Sequence, residues 1–138
     1  MAAFRRELGF YSCTVSSFEQ YTLARFLSQG HFEKHINRMR KFYKARRNRL
    51  VDLLQSCPWA GRLTIQEADA GLHFLLKVQT NLSDEELTAF CAERGLLVRS
   101  LSGYYHDAVP ESASSTLVIN YSGLREKDMD DLQRLLTR

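Results

Sequence analysis

Two histidines, His31 and His35, stand four residues apart in the sequence. On a helix this spacing places both imidazole rings on one face, an arrangement that can hold a metal ion. The sequence shows no third ligand, and the neighbouring cations Lys34 and Arg38 would repel a divalent metal. We therefore predict no metal site and interpret both histidines as ordinary helix-surface residues.

A second group with reactive side chains is Ser102, His106 and Asp107, whose residue types match those of a hydrolytic triad. Triads are assembled in space and not by adjacency in sequence, and no strand-turn-helix elbow surrounds this serine. The later glycines are isolated, so the chain also lacks a phosphate-binding or dinucleotide-binding glycine motif. We predict that the chain contains no catalytic residue.

Positive charge is concentrated in the first half of the chain. Residues 1–50 carry a net charge of +8 and residues 51–138 a net charge of −5. A basic helix over residues 31–57 could neutralise nucleic-acid phosphates, so a nucleic-acid-binding module is one possible function. The other interpretation is a solvated helix face, or attraction between the two halves of one fold. No helix-turn-helix or zinc-finger pattern accompanies the basic residues.

The composition is that of one soluble globular domain. The 138 residues are 44% hydrophobic and 25% charged, with only 2 prolines and 7 glycines, which argues against disorder. Cys13, Cys57 and Cys91 have no paired spacing and predict neither a disulfide framework nor a zinc ribbon. No apolar run approaches the roughly 18 residues of a membrane span. The first residues also lack the apolar core of a signal peptide, so we expect a cytoplasmic protein without membrane contact.

The pattern predicts a short arm over residues 1–15 and a lobe over residues 16–138. Capping boxes, formed by Ser16 with Glu19 or by Ser17 with Gln20, predict a helix that ends at Gly30. Its apolar residues surround much of the axis, which indicates burial on more than one side. Apolar steps of three and four then predict a long helix from His31 to about Cys57.

Alternation dominates the second half and predicts strands over residues 63–67, 72–78, 96–101 and 116–121, the first two joined as a hairpin by residues 68–71. Ser83 with Glu86 caps a helix that Gly95 ends, and apolar residues from Met129 to Leu136 predict a closing helix. The fold class is therefore α+β, with a small, mostly antiparallel sheet packed against helices.

The segment GHFEKHINRMRKFYKARRNRL, preceded by FEQYTLARFL, carries a family resemblance that continues in GLHFLLKV, ERGLLVRSLSGYY and LVINYSGL. From Phe10 to Leu136 the chain resembles the C-terminal third of MocR-type regulators, which are GntR-family transcription factors. Their effector domain is similar to a fold-type-I, pyridoxal-phosphate-dependent aminotransferase. The most specific positions are Gly30, His35, Arg38, Met39, Arg40 and Tyr43.

This resemblance implies the small C-terminal lobe of an effector-binding domain that is not catalytic by itself. It implies a parent with a large lobe, a winged-helix domain that binds DNA, a homodimeric state and a small amino-acid-like or vitamin effector. Pyridoxal 5'-phosphate would bind in the parent, whereas no residue here matches the cofactor lysine or its partners, so we expect none for the isolated chain. The small-domain fragment of a genuine class I/II aminotransferase is the alternative.

The same resemblance singles out positions near the effector. The late-strand arginine with which such aminotransferases grip a carboxylate aligns with Val118, which cannot make that contact. Alternation places Val118 beside Thr116 and Asn120, as an apolar residue on an otherwise polar face. Arg99 could bind the carboxylate instead, and the loop with Tyr104 and Tyr105 would border the cleft.

Overall fold

The computed structural model describes residues 3, 6–7, 15–66, 68–69 and 71–137. The predicted arm over residues 1–15 lies almost wholly outside this part. The chain groups into two compact units, residues 1–40 and residues 41–138. Within the described residues the helices are α1 (Ser17–Ser28), α2 (His31–Ser56), α3 (Asp84–Glu93) and α4 (Glu126–Leu136). The strands are β1 (Leu63–Gln66), β2 (His73–Val78), β3 (Arg99–Ser100) and β4 (Thr116–Asn120).

The first unit contains α1, whose ends follow from local sequence. The Ser16 hydroxyl accepts a hydrogen bond from the backbone N–H of Glu19 at 3.2 Å, and the Glu19 carboxylate accepts one from the Ser16 N–H at 3.3 Å. This is the first of the two predicted capping boxes. Gly30 follows with a φ of 72°, a left-handed conformation that glycine adopts without strain. No residue of α1 is buried, and Phe18 is 80% exposed.

Helix α2 contributes residues to both units and ends at Ser56, two residues before Pro58. A residue that precedes proline is disfavoured in the helical conformation, which explains the end at Ser56 before Cys57 and Pro58. In the second unit the helix buries Leu50 and Leu54. The predicted long helix is thus confirmed within one residue of its expected end.

The second unit is built around a four-stranded sheet with the order β1-β2-β4-β3. All three strand pairs are antiparallel, as the sequence predicts. Helix α3 connects β2 to β3, and its capping box pairs Ser83 with Glu86. Helix α4 follows β4 and closes the lobe. The predicted α+β class and the order β-β-α-β-β-α are therefore confirmed.

One face of the sheet forms the core with the helices. Its buried side chains come from α2, α3, α4, β2 and β4 and from the residues directly after α2 and β4: Leu50, Leu54, Cys57, Phe74, Leu76, Leu87, Leu117, Tyr121, Met129 and Leu136. Phe74 is 0% exposed, and its ring stacks with that of Tyr121 at 6.1 Å between centroids. Burial of such side chains supplies the main driving force for folding of this unit.

The third predicted strand is shorter than expected. The alternation of residues 96–101 predicts a six-residue strand, but only Arg99 and Ser100 pair with β4. The chain turns into a 3-10 helix at Leu101–Tyr104, where the N–H of Tyr105 donates to the carbonyl of Ser102. Because of that turn, Leu101 does not pair with β4, and residues 96–98 do not pair with it either. The prediction of a strand over residues 96–101 is therefore wrong at both ends.

The described cysteines are free thiols with different surroundings. Cys57 is buried, and its thiol donates to the carbonyl of Leu54 at 3.2 Å. Burial raises the pKa of the half-buried Cys91 thiol, while the nearby Arg94 lowers it to a smaller extent. The Cys91 side chain is therefore a thiol at neutral pH. No helix of the described residues is long and apolar enough to cross a membrane.

Candidate functional site

The sheet of the second unit has one face that the helices leave open, which we call the outer face. Paired residues of an antiparallel sheet project to the same side, so the strand register defines this face. Its strand positions are Thr64, Gln66, His73, Leu75, Lys77, Arg99, Thr116, Val118 and Asn120. None of these described strand positions carries a carboxylate. The outer face is therefore a mixture of apolar, hydroxyl, amide, imidazole and cationic side chains.

Val118 and Arg99 are directly paired in the sheet. The resemblance gives these two positions as alternatives for a carboxylate-binding residue. On its other side Val118 pairs with Leu75 of β2. The expectation that Val118 stands on an otherwise polar face is thus wrong, because Leu75 extends the apolar area. Side chains of opposed residues on one face lie about 5 Å apart at Cβ, so Arg99 can reach over Val118.

Asn120 lies two residues after Val118 on β4, on the same face, and pairs with His73. Its Oδ1 accepts hydrogen bonds from the backbone N–H of Ser122 at 2.9 Å and from the Ser122 hydroxyl at 2.7 Å. These bonds fix the amide orientation, so that the Nδ2 group is the part of Asn120 that remains for a ligand. Asn120 thus presents a hydrogen-bond donor.

The opposite end of the outer face is closed by the loop before β4. Lys77 donates from Nζ to the carbonyl of Ser114 at 2.6 Å and to that of Ser112 at 3.4 Å. The Thr116 hydroxyl donates to the Ser114 carbonyl at 3.0 Å and is buried. Lys77 and Thr116 are therefore engaged in holding the loop, and the open part of the face is the end with Arg99 and Asn120.

The two tyrosines of the following loop occupy different places. Tyr104 ends the 3-10 helix and lines an open cavity of ≈ 1200 Å³ together with Arg99, Val118 and Asn120. This cavity also borders core residues such as Leu87, so only part of its volume lies over the outer face. Tyr105 is exposed and does not line the cavity. Of the five predicted site residues, four are brought to one cavity.

Sequence reasoning missed His73 and Leu75 as members of this face. Alternation in residues 72–78 places Phe74 and Leu76 on one side of the strand and His73 and Leu75 on the opposite side. The alternation therefore contained the information that His73 and Leu75 lie on the outer face. Only the strand order, which brings β2 beside β4, makes these residues neighbours of Val118 and Asn120.

The other candidate groups do not converge into a site. His31 stacks on Phe26 with 6.0 Å between ring centroids, and His35 Nδ1 lies 3.5 Å from a guanidinium nitrogen of Arg38. Within the described part of the chain no three potential ligands from His, Cys, Asp and Glu come together. The Ser102 hydroxyl donates to the hydroxyl of Ser100 at 3.1 Å.

Part of the basic surface of α2 is used inside the second unit. Arg47 donates to the Asp69 carboxylate at 2.5 Å and to the Ala68 carbonyl at 2.8 Å. Arg49 forms ion pairs with Glu126 and Asp130 of α4. These contacts favour the interpretation in which basic residues of the helix attract the acidic second half, and they weigh against a dedicated phosphate-binding surface.

The family assignment follows from comparison with known proteins. The family model described as aminotransferase class I and II matches residues 3–136. The chain therefore belongs to the class I and II aminotransferase family. The structural comparison agrees, because a kynurenine aminotransferase of Pyrococcus horikoshii, solved in complex with PMP and with its substrates and products, has the same fold. The TM-score is 0.65 at 23% identity, over 81% of this chain and 27% of that one.

Relatives that match most of this chain include transcription regulators. The chain is 33% identical over 125 residues to the HTH-type transcriptional regulator YhdI of Bacillus subtilis, a match that covers 90% of this chain and 26% of YhdI. It is 32% identical over 110 residues to the probable rhizopine catabolism regulatory protein MocR of Rhizobium meliloti, covering 80% and 22%. The chain spans about a quarter of the length of these relatives, and its resemblance to MocR-type regulators is confirmed.

Aminotransferases of this fold use pyridoxal phosphate, which needs a lysine for its aldehyde and an acid near its ring nitrogen. The described residues do not fit that group. Among the described strand residues the lysine is Lys77, in β2. Its Nζ already donates hydrogen bonds to the carbonyls of Ser114 and Ser112. The described strand positions of the outer face hold no acid. The described strands of the outer face therefore do not by themselves supply the lysine and the acid of a cofactor site.

Proposed function

We propose that this chain is the small C-terminal lobe of the aminotransferase-like, effector-binding domain of a transcription regulator. The observation that carries the proposal is the similarity to an HTH-type regulator over 90% of the chain. The lobe has its own buried core, and its outer face carries Arg99, Val118 and Asn120, three of the predicted effector-proximal residues. A surface of this kind suits a lobe that borders a cleft and closes over a small ligand.

The partners in this proposal belong to the longer protein. A large lobe with the cofactor lysine would hold pyridoxal 5'-phosphate, and a winged-helix domain would bind DNA, in a homodimer. The exposed apolar side chains of α1, among them Phe18 and Tyr21, support the presence of a further packing partner. The effector would be a small amino-acid-like or vitamin-like molecule. No chemical step is assigned to the lobe, whose task is to enclose the effector.

Val118 limits what that effector contact can be. Valine at the position that the resemblance assigns to the carboxylate-binding arginine cannot donate a hydrogen bond from its side chain. The effector of the parent therefore either lacks a carboxylate or has its carboxylate bound by another residue. The pairing of Arg99 with Val118 supports the second possibility.

The decisive experiment begins with the coding region upstream of this chain. We expect it to encode a winged helix followed by a lobe with the cofactor lysine. The longer protein, loaded with pyridoxal phosphate, is then tested for binding to its own promoter region in fluorescence anisotropy, with and without a panel of amino compounds. An effector-dependent change in DNA affinity supports the proposal. A longer protein without a DNA-binding segment overturns it.

The alternative function is that of a small-domain fragment of a genuine class I/II aminotransferase. One observation favours it, the match of residues 3–136 to the aminotransferase family model. In that case the longer protein would transfer amino groups between amino acids and 2-oxo acids. Production of a 2-oxo acid by the purified longer protein, at a rate that sustains many turnovers, would identify the enzyme. For the 138-residue chain alone we expect no absorbance change of added pyridoxal phosphate, since the lobe lacks a suitable lysine.

A further inference from the structure

Helix α2 carries a row of cationic side chains on one of its faces. Lys34, Arg38, Lys41 and Lys44 follow one another at steps of four, three and three residues. With about 3.6 residues per turn, these steps keep all four within an arc of about 120° around the helix axis. All four residues are exposed. We call this set the cationic row, and at a rise of about 1.5 Å per residue it extends over roughly 15 Å.

The described residues provide no carboxylate that neutralises the cationic row. The ion pairs that α2 forms within this part of the chain belong to Arg47 and Arg49, which follow the row. A guanidinium nitrogen of Arg38 lies 3.5 Å from Nδ1 of His35, a contact without a negative charge. Glu33 is the only acidic residue between positions 31 and 51, and its side chain diverges by about 100° from that of the next residue. The contacts that weigh against phosphate binding therefore concern the end of the helix and not the row.

The helix surface around the cationic row is polar. Asn37 and Ala45 lie on the same side of the helix, whereas the buried Leu50 projects to the opposite side. Phe42 is a half-exposed aromatic residue next to the row, and the guanidinium of Arg46 covers its ring at 4.4 Å. A helix that lies on a membrane needs large apolar side chains that enter the lipid. The row therefore matches a hydrated polyanion better than a lipid surface.

From this arrangement we infer that the cationic row binds the phosphate backbone of double-stranded DNA without reading its sequence. A DNA duplex carries one negative charge per about 1.7 Å of its axis, so roughly 15 Å of helix faces about nine phosphate charges. Lysine and arginine side chains that contact phosphates release counterions, which provides affinity that does not depend on the bases. In the regulator this contact supplements the winged helix. That role rests on the proposed function, whereas binding of DNA by the row does not.

The test uses the 138-residue chain and a fluorescent DNA duplex of about 25 base pairs, titrated in fluorescence anisotropy at several salt concentrations. Four phosphate contacts predict that the logarithm of the binding constant falls with the logarithm of the salt concentration at a slope of about −3.6. A duplex of scrambled sequence should bind equally well, because phosphate contacts carry no sequence information. Absence of binding at about 25 mM salt, or a salt-independent affinity, overturns the inference.

A triple variant assigns the binding to the row. Lys34→Gln, Arg38→Gln and Lys41→Gln together remove three of the four charges, and glutamine retains a good helix propensity. We expect the dissociation constant at low salt to rise at least about tenfold and the slope to change to about −0.9. Far-ultraviolet circular dichroism checks that α2 stays helical.

A second triple variant controls for net charge. It replaces three exposed cations outside the row and changes the net charge by the same amount: Arg62→Gln, Lys127→Gln and Arg134→Gln. This control should retain the slope of the unchanged chain, because the row is intact. An equal loss of affinity in both triple variants would show that net charge alone is responsible, and the inference would be wrong.

Two other polyanionic ligands distinguish DNA from different partners. Poly-L-glutamate offers carboxylates on a flexible chain, and vesicles of phosphatidylserine offer an anionic lipid surface. Both should bind more weakly than DNA at the same salt concentration. Equal or tighter binding of either ligand overturns the assignment to DNA.

Two results keep this inference separate from the proposed function. If the chain binds DNA through the cationic row but the longer protein has no DNA-binding segment, the inference stands and the regulator proposal fails. If the longer protein binds its promoter region in an effector-dependent manner and the triple variant of the row changes neither its affinity nor that of the 138-residue chain, the regulator proposal stands and the inference is wrong.

Discussion

The hydroxyl of Tyr121 donates a 2.7 Å hydrogen bond to the carbonyl of Gly71, fifty residues earlier in the chain. The backbone N–H of Tyr121 also donates to the carbonyl of Leu72 at 3.1 Å. Tyr121 is also buried, and its ring stacks with that of Phe74. Packing and two hydrogen bonds therefore connect the end of β4 to the start of β2. This contact holds Asn120 and His73 opposite each other on the outer face.

The first prediction removes only the hydroxyl of that contact. Tyr121→Phe keeps the ring in the core but leaves the Gly71 carbonyl without this donor, which is expected to cost about 1 kcal/mol in the free energy of unfolding. Urea denaturation followed by far-ultraviolet circular dichroism measures the change. Tyr105→Phe, at an exposed tyrosine, is the control and should leave the midpoint unchanged. Equal midpoints for both variants would contradict the role of the hydrogen bond.

The second prediction compares two phenylalanines of opposite burial. Phe74→Ala removes a ring that is 0% exposed and is expected to destabilise the lobe by about 3 to 5 kcal/mol, or to prevent its folding. Phe18→Ala removes a ring from α1 that is 80% exposed and should change the free energy of unfolding by less than about 0.5 kcal/mol. Thermal denaturation of the two variants measures both changes in stability. A large loss from Phe18→Ala would show that α1 packs in the isolated chain.

The third prediction concerns the pairing of Arg99 with Val118. Val118→Arg places a second guanidinium directly opposite the first, and like charges in this position destabilise a sheet by roughly 0.2 to 1 kcal/mol. A double-mutant cycle with Arg99→Gln isolates this repulsion from the loss of the valine side chain. The coupling should shrink at 1 M salt, because salt screens exposed charges. A coupling of zero at low salt would place the two side chains apart.

Local patterns predicted most elements of this fold because their signals lie within a few residues. The capping boxes of Ser16 and Ser83 and the left-handed Gly30 and Gly95 determine helix ends through contacts between near neighbours. Alternation likewise located β2 and β4. The length of the third strand was not predictable, because its end depends on the turn at Leu101 and on pairing with a strand sixteen or more residues away.

The candidate site was predictable as a set of residues but not as an arrangement. The resemblance pointed to Val118, and alternation placed Asn120 with it. The neighbours that give these residues their surroundings, Leu75 and His73, come from a strand more than forty residues earlier. Only the order β1-β2-β4-β3 brings them together, and strand order is a property of the whole lobe. The orientation of the Asn120 amide likewise required its contact with Ser122.

The fourth prediction concerns the start of α4. The Asp128 carboxylate accepts hydrogen bonds from Nε of Arg125 at 3.2 Å and from the Arg125 backbone N–H at 2.8 Å. The side-chain bond, followed by the backbone bond, lowers the pKa of Asp128 below its ordinary value of 3.8, against a smaller opposing effect of desolvation. The charge is also favourable in the first turn of a helix.

A carboxyl group with a lowered pKa stabilises the folded chain at pH values above its ordinary pKa, and this contribution disappears as the pH falls through the lower value of the folded state. Asp128→Asn should therefore lower the Tm at pH 7, and the difference from the unchanged chain should shrink below about pH 3.8. Asp131→Asn, which removes one exposed ion pair with Arg134 outside the first turn, is the control. Tm values from pH 2 to pH 7 test the prediction, and a deficit for Asp128→Asn that stays constant over that range would show that its charge is not the cause.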